Sequence, residues 1–420
     1  MASPRASEAP LASSARLKEI MTAHFVGVDR AARERTAPVA WCTSVGPVEL
    51  LRALGYQVFF PENHGALLGA SRVANETMGS AHALGYSPDI CSYLTSDIGS
   101  YLQKKTPLQR YGMSTAPRAD LLLYNTNQCR EVKDWFEFYG REWNVPVVGV
   151  TSFREIGEVE RSHVDAIVRQ MEALVPTLEA VAGRKLDAAR LEESVARSKE
   201  CSDLWRDVLA TAAARPAALT FFDGTIQMGP AVILRGTVEA CDFYRLLLAE
   251  LQERVRAGKG ALPRERHRIY WDGMPVWGKL RDLATLFAGL DTSVVASTYC
   301  NSWVFEALDP KDPLPSMARA SLELFIARSE EPKQRYLERM VKQFSVDGVI
   351  FHDSRTCPNN SNARFGMPQR LRRTLGLPVL TIDGDLNDLR CFSDEQARTN
   401  IEGFVEQLEG QAPKSPAAHA

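Results

Sequence analysis

The chain lacks most of the signals that mark a function by themselves. It carries no Walker A loop, and no GxGxxG follows a strand-like stretch, so no phosphate cradle for ATP or a dinucleotide is recognisable on it. It has no CxxC pair and no HExxH, and its 7 histidines show no ligand spacing, which argues against zinc. No apolar run is long enough for a transmembrane helix, and the start "MASPRASEAPLASSARLKEI" has no hydrophobic signal core. A formal net charge of −2 offers no electrostatic attraction to nucleic acid or a membrane surface. These absences describe a cytoplasmic protein. The 8 cysteines are too sparse over 420 residues for a disulfide scaffold, so they are expected to be buried, catalytic or metal-bound.

What is present is a repeated change of apolar period. "APVAWCTS", "QVFFPEN", "ADLLLYNTNQC" and "VPVVGVTS" read as strands, and "GPVELLRALGY" and "REVKDWFEFYGREWN" as the helices between them. A second series runs from "HRIYWDGMPVW" to "RLRRTLGLPVLTIDGD". Between the two lie long amphipathic patterns such as "VERSHVDAIVRQMEALVPTLEAVAG". The rhythm predicts an α/β protein: two domains with parallel, Rossmann/flavodoxin-like sheets and additional helices. The expected division is a partly disordered extension over 1–36, an α/β domain over 37–157, a helical layer over 158–265, a second α/β domain over 266–410 and a disordered tail over 411–420. The two halves read as distant copies of one unit.

Four cysteines follow strand-like stretches: Cys42, Cys129, Cys300 and Cys357. Ligands of open parallel sheets bind beyond the carboxyl ends of strands, and a helix N-terminus there favours thiolate over thiol. Cys129 and Cys357 are the stronger cases, because a helix pattern follows each. Cys201 and Cys241 lie within helical patterns and read as packing residues, as does Cys391. Thiolates without histidine neighbours suit an iron–sulfur cluster better than zinc. The hydrolase alternative pairs a nucleophilic cysteine with His64 or His352.

Several segments together resemble one family: "VAWCTSVGPVELLRALGYQVFFPENHGALLGAS", "GYSPDICSYLTSDIG", "NTNQCREVKDWFEFYGREWNVPVV", "DGVIFHDSRTCP" and "IDGDLNDLRCFSDEQARTNIEGFVEQLE". The chain resembles the 2-hydroxyacyl-CoA dehydratase and benzoyl-CoA reductase family over nearly its whole length. Within it the likeness is to the O/B-type subunit of ATP-dependent benzoyl-CoA reductase and to dehydratase α subunits.

The resemblance implies a [4Fe-4S] cluster held by Cys91, Cys129 and Cys357 in the cleft between two domains, with one iron free to meet substrate. It also implies catalytic roles for Ser44, holding a thioester carbonyl, and for Glu62, moving protons, with His64 close by. The residues alone allow Ser44 to be a helix N-cap and Glu62 a solvated loop carboxylate. Cys42 and Cys300 are extra to the family pattern and leave open a double-cubane [8Fe-9S] cluster, as in relatives that reduce small molecules. The expected chemistry is low-potential electron transfer to an aromatic acyl-CoA through a ketyl-type radical, as in benzoyl-CoA reductase. The composition, rich in arginine and alanine, leans that way. A subunit of an (R)-2-hydroxyacyl-CoA dehydratase is the alternative. The implied partners are a homologous second cluster-bearing subunit and an ATP-dependent iron–sulfur activator.

Overall fold

The computed structural model describes residues 11–410. The expectations for residues 1–10 and for the tail over 411–420 lie outside that range. The chain forms two four-stranded, all-parallel sheets. The first comprises β1 (Val39–Cys42), β2 (Gln57–Phe59), β3 (Leu121–Asn125) and β4 (Val147–Val150), in the order β2-β1-β3-β4. The second comprises β5 (His267–Asp272), β6 (Thr292–Ser297), β7 (Gly348–Ser354) and β8 (Val379–Gly384), in the order β6-β5-β7-β8. The same relative order recurs in both sheets. It is the flavodoxin-like order, with a switch point between the first and third strand of each sheet.

The strands form where the sequence has short apolar runs with no polar face. β1 ("VAWC") and β3 ("LLLYN") are buried at every position, as strands covered by helices on both sides must be. Register follows the parallel pairing Ala40↔Leu121 and Trp41↔Leu122 in one sheet, and Trp271↔Ile350 in the other. Trp41, Tyr139 and Trp143 pack edge-on and tilted against the first sheet at centroid separations of 4.5–5.1 Å. Such contacts add to the burial of large rings.

Long helices occupy the segment between the sheets in sequence: Arg161–Ala182, Ala188–Ala210 and Val238–Arg256. The reading of residues 1–36 changes in one respect. Residues Ser13–Glu34 form a continuous helix that buries Leu17, Ile20, Phe25, Val28 and Ala31. Its apolar residues keep helical spacing, but the Ala, Ser and Pro ahead of them give the segment the composition of a mobile terminus.

Two close approaches set the geometry needed below. A Cβ added at Gly99 would lie 2.1 Å from the Thr77 carbonyl oxygen, so the helix Ser92–Gln103 sits directly on the helix Ala74–Ala83. A Cβ at Gly69 would lie 2.0 Å from Asn387 Oδ1, where the helix Pro61–Ala70 meets the loop after β8. Asn387 Nδ2 ties the two domains by donating to the Gly65 carbonyl and to Ser96 Oγ, both at 2.9 Å. No helix among the described residues is long and apolar enough to cross a membrane.

Candidate active site between the two sheets

A cavity of about 470 Å3 lies where the carboxyl ends of the two sheets face one another. Residues that follow every strand except β4 contribute to its wall, among them Ser44 after β1, Glu62 after β2, Cys129 after β3, Met274 after β5, Tyr299 after β6 and Cys357 after β7. The switch points of both sheets thus open into one space. Most of the remaining lining is apolar, including Trp277, Val232 and Met228, and the helix Ser13–Glu34 closes one side through Leu17 and Met21.

Cys91, Cys129 and Cys357 all line this cavity, and each is only partly exposed. Cys91 is the N-cap residue of the helix Ser92–Gln103, so its thiol lies at a helix N-terminus. Cys129 precedes the helix Glu131–Trp143 and stands at its N-terminal end. Cys357 stands in the turn after β7, where its backbone carbonyl accepts from the Asn360 N–H at 3.1 Å. The thiols also feel one another: Cys91 is influenced by Cys357, and Cys129 by both. Burial raises all three thiols above their ordinary range, Cys357 to about 12. Helix-end N–H donors oppose that effect.

One hydrogen bond joins the cysteines of the two domains. The Ser92 N–H, next to Cys91, donates to Thr356 Oγ1, next to Cys357, at 3.0 Å. Asp385 in turn accepts from the Thr356 hydroxyl at 2.6 Å and from its N–H at 2.8 Å. Nothing in the spacing of these residues marks them, since each is a common turn residue and their partners lie across the fold.

Ser44 and Glu62 line the same cavity. The helix after β1 begins only at Val48, with Pro47 as its N-cap, so Ser44 does not cap it. Instead the Ser44 N–H donates to both carboxylate oxygens of Glu62, at 3.0 and 3.1 Å. Glu62 lies in the first turn of the helix Pro61–Ala70, half-buried with its free face toward the cavity, and not on a solvated loop. Burial raises its carboxyl to about 7, against the lowering effect of the Ser44 N–H. A carboxyl poised there can both take and give a proton near neutrality.

Four other candidates lie outside the lining. His64 is buried between Asp97, at 2.5 Å from its Nδ1, and Thr106, at 2.8 Å from its Nε2. Asp97 also accepts from Trp135 Nε1 and the Tyr139 hydroxyl, so His64 belongs to a hub that fixes three helices. Cys42 is fully buried at the end of β1, its sulfur against Gly46, where an added Cβ would come within 2.8 Å of it. Cys300 is buried with Thr225 Oγ1 3.8 Å from its sulfur. His352 gives Nδ1 to the Met274 carbonyl at 2.6 Å and likewise does not reach the cavity. Cys201 and Cys241 are buried among the long helices.

A residue with no motif around it shapes the site from behind. Arg235, buried, donates to the carbonyls of Ser44 and Gly46 at 3.0 and 2.9 Å and to Glu49 Oε1 at 2.9 Å. Its guanidinium clamps the turn that carries Ser44. Arg235→Gln leaves Glu49 as an unpaired buried charge and frees both carbonyls, so it is expected to cost about 3–5 kcal/mol of stability, measurable by denaturant unfolding. Arg235→Lys keeps the charge but loses the fork and is expected to recover only part of that.

Among the described residues no three His, Cys, Asp or Glu side chains converge on one point as the ligands of a single ion would. The three thiols instead line one cavity. That arrangement suits a polynuclear cluster, in which each thiolate takes a different iron, better than a mononuclear centre.

The sequence matches known proteins over almost its whole length. The family model described as "2-hydroxyglutaryl-CoA dehydratase, D-component" matches residues 43–408. The chain is 30% identical to the (R)-2-hydroxyisocaproyl-CoA dehydratase alpha subunit of Clostridioides difficile, with 90% of this chain and 92% of that one covered. It is 28% identical to the (R)-phenyllactyl-CoA dehydratase alpha subunit of Clostridium sporogenes, covering 90% and 91%. It is 27% identical to a benzoyl-CoA reductase subunit of Thauera aromatica, covering 83% of each. A match over residues 43–408 places the chain in the 2-hydroxyglutaryl-CoA dehydratase D-component family, and its relatives there include 2-hydroxyacyl-CoA dehydratase and benzoyl-CoA reductase subunits.

Proposed function

We propose that this chain is the cluster-bearing subunit of an enzyme that removes water from a 2-hydroxyacyl-CoA with an apolar acyl group. The observation that supports it is the carboxyl of Glu62, raised by burial to about 7, on the wall of a mostly apolar cavity that three thiols also line. Cys91, Cys129 and Cys357 are the residues that would hold a [4Fe-4S] cluster. Such a cluster, when bound, supplies low-potential electrons and one iron without a cysteine ligand as a Lewis acid.

The protein's own share is positioning and proton transfer. The apolar wall excludes water and receives the acyl chain. Ser44 stands beside Glu62 with its hydroxyl available to a thioester carbonyl. Glu62 can accept the proton lost from the substrate's β-carbon and return it to the departing hydroxyl. Elimination is neutral overall in protons and electrons, so one carboxyl that both takes and gives a proton is enough for it. Ring reduction consumes protons from solvent and would need a relay into this apolar space.

The relatives support both chemistries, and a second reading as part of a benzoyl-CoA reductase follows from the aromatic side of the cavity, where Trp277 and Tyr299 pack edge to face at 5.8 Å. The chain is expected to work with a second cluster-bearing subunit and an ATP-dependent activator. The test is anaerobic purification of that assembly, followed by ATP-dependent assays on an apolar 2-hydroxyacyl-CoA and on benzoyl-CoA. Loss of water from the first is expected. Turnover of benzoyl-CoA alone replaces the first reading by the second.

A further inference from the structure

The helix Ser13–Glu34 reaches the cavity from outside the segment that the family match covers, residues 43–408. Ser44, Glu62 and the three cavity cysteines all lie inside that segment. Ser14, Leu17, Lys18 and Met21 line the cavity from this helix, and their spacing makes one stripe along it. Leu17 is buried and Met21 half-buried, while Ser14 and Lys18 are exposed. The helix is anchored at its start. Its N-cap residue, Ala12, offers no side-chain acceptor, and the Glu250 carboxylate takes that place. It accepts from the Ala12 N–H at 2.6 Å and the Ser13 N–H at 3.0 Å. Further along, Phe25 stacks on Tyr111 at 5.0 Å. Met21 thus stands on a fixed wall.

The tip of Met21 meets a residue without a side chain. A Cβ added at Gly229 would lie 3.4 Å from both Sδ and Cε of Met21, which is contact distance. Gly229 begins the short helix Gly229–Ile233, and Met228, Gly229 and Val232 line the cavity beside Met21. None of these residues carries a charged side chain. Methionine is unbranched and flexible, so it fills the space it is given and limits by its length what else can enter. Ser44, Glu62 and the thiols, by contrast, are placed to act on the thioester and the carbons next to it, which all 2-hydroxyacyl-CoA substrates share. They cannot tell one acyl group from another. An apolar wall can, because one methylene gained or lost against it is worth roughly 10–200-fold in kcat/KM.

We propose that Met21, resting against Gly229, is the end stop that selects the acyl group of the substrate by size. The inference rests on the acyl-CoA reading above and assigns the selectivity of that site to a helix ahead of the matched segment. There the wall can change between related chains while the thiols, Ser44 and Glu62 stay as they are.

The test is steady-state kinetics of the complete assembly on a short and a long straight-chain 2-hydroxyacyl-CoA, with iron content and thermal unfolding measured alongside. Met21→Ala removes the stop and is expected to raise kcat/KM for the long substrate relative to the short one by about tenfold or more. Gly229→Ala adds a methyl group to the same space and should move the ratio the other way. Glu19→Ala, on the same helix but outside the cavity lining, should leave the ratio as it was. Opposite shifts cannot come from a loosened helix, which would lower both substrates together. A ratio that Met21→Ala does not move, whether both rates hold or fall together, overturns the end stop and spares the acyl-CoA reading. An equal shift with Glu19→Ala does the same. An unmodified assembly that turns over neither hydroxyacyl-CoA overturns both.

Discussion

Serine at Cys91, Cys129 or Cys357, one at a time, is expected to strip most of the iron from the anaerobically purified protein and abolish turnover. The same exchange at Cys42 or Cys300 should leave iron content and activity near the unmodified level. The contrast follows from position. The first three thiols face one cavity, and Cys91 and Cys129 stand at helix N-terminal ends, which favour the thiolate needed to bind iron. Cys42 and Cys300 are buried away from it, and burial raises both thiols, Cys300 to about 11. Serine is nearly isosteric with cysteine but is a poor ligand for iron, so the fold should survive while the cluster is lost. Iron analysis and the visible absorption band read the loss, and thermal unfolding of the metal-free proteins checks the fold. Unchanged iron in all three cavity variants would reject the site. Loss of iron on changing Cys42 or Cys300 would reopen the larger cluster.

The sheets were legible because buried parallel strands leave a strong mark, a short apolar run between helical patterns. The strand-end rule also drew attention to Cys129 and Cys357, which do lie beyond β3 and β7. It drew equal attention to Cys42 and Cys300, because sequence shows that a residue follows a strand but not which way its side chain turns. Cys91 follows a turn and not a strand, so only family resemblance singled it out. In the structure it begins a helix that reaches the site from the side.

What stayed hidden are interactions between residues far apart in the chain. The Ser92–Thr356 bond spans 264 positions and the Arg235 clamp 191, and neither involves a rare residue type. His64 shows the converse. It lies two positions from Glu62, but the helix turns it to the other side, where Asp97 and Thr106 hold it.

Glu62→Gln is expected to lower turnover by roughly 10²–10⁴-fold, the usual worth of a positioned general acid–base, with iron content unchanged. Gln keeps the shape and can still accept from the Ser44 N–H, so the loss reports the proton and not the turn. The pH dependence carries the sharper signature. Burial holds the Glu62 carboxyl at about 7, and the base form exists only above that value. Turnover should therefore rise through pH about 7 in the unmodified enzyme, and the variant's residual rate should lack that limb. Stability should move the other way. Folding raises this pKa from 4.5 to about 7, so the folded chain holds the proton more tightly than the unfolded one. The stability linked to that proton is complete below pH about 4.5 and is lost as pH rises through about 7. Glu62→Gln cannot ionise and escapes the loss, so above neutrality the variant should melt higher than the parent while turning over far more slowly. A variant that is slower and also less stable at every pH would mean that Glu62 supports the fold and does not carry the proton.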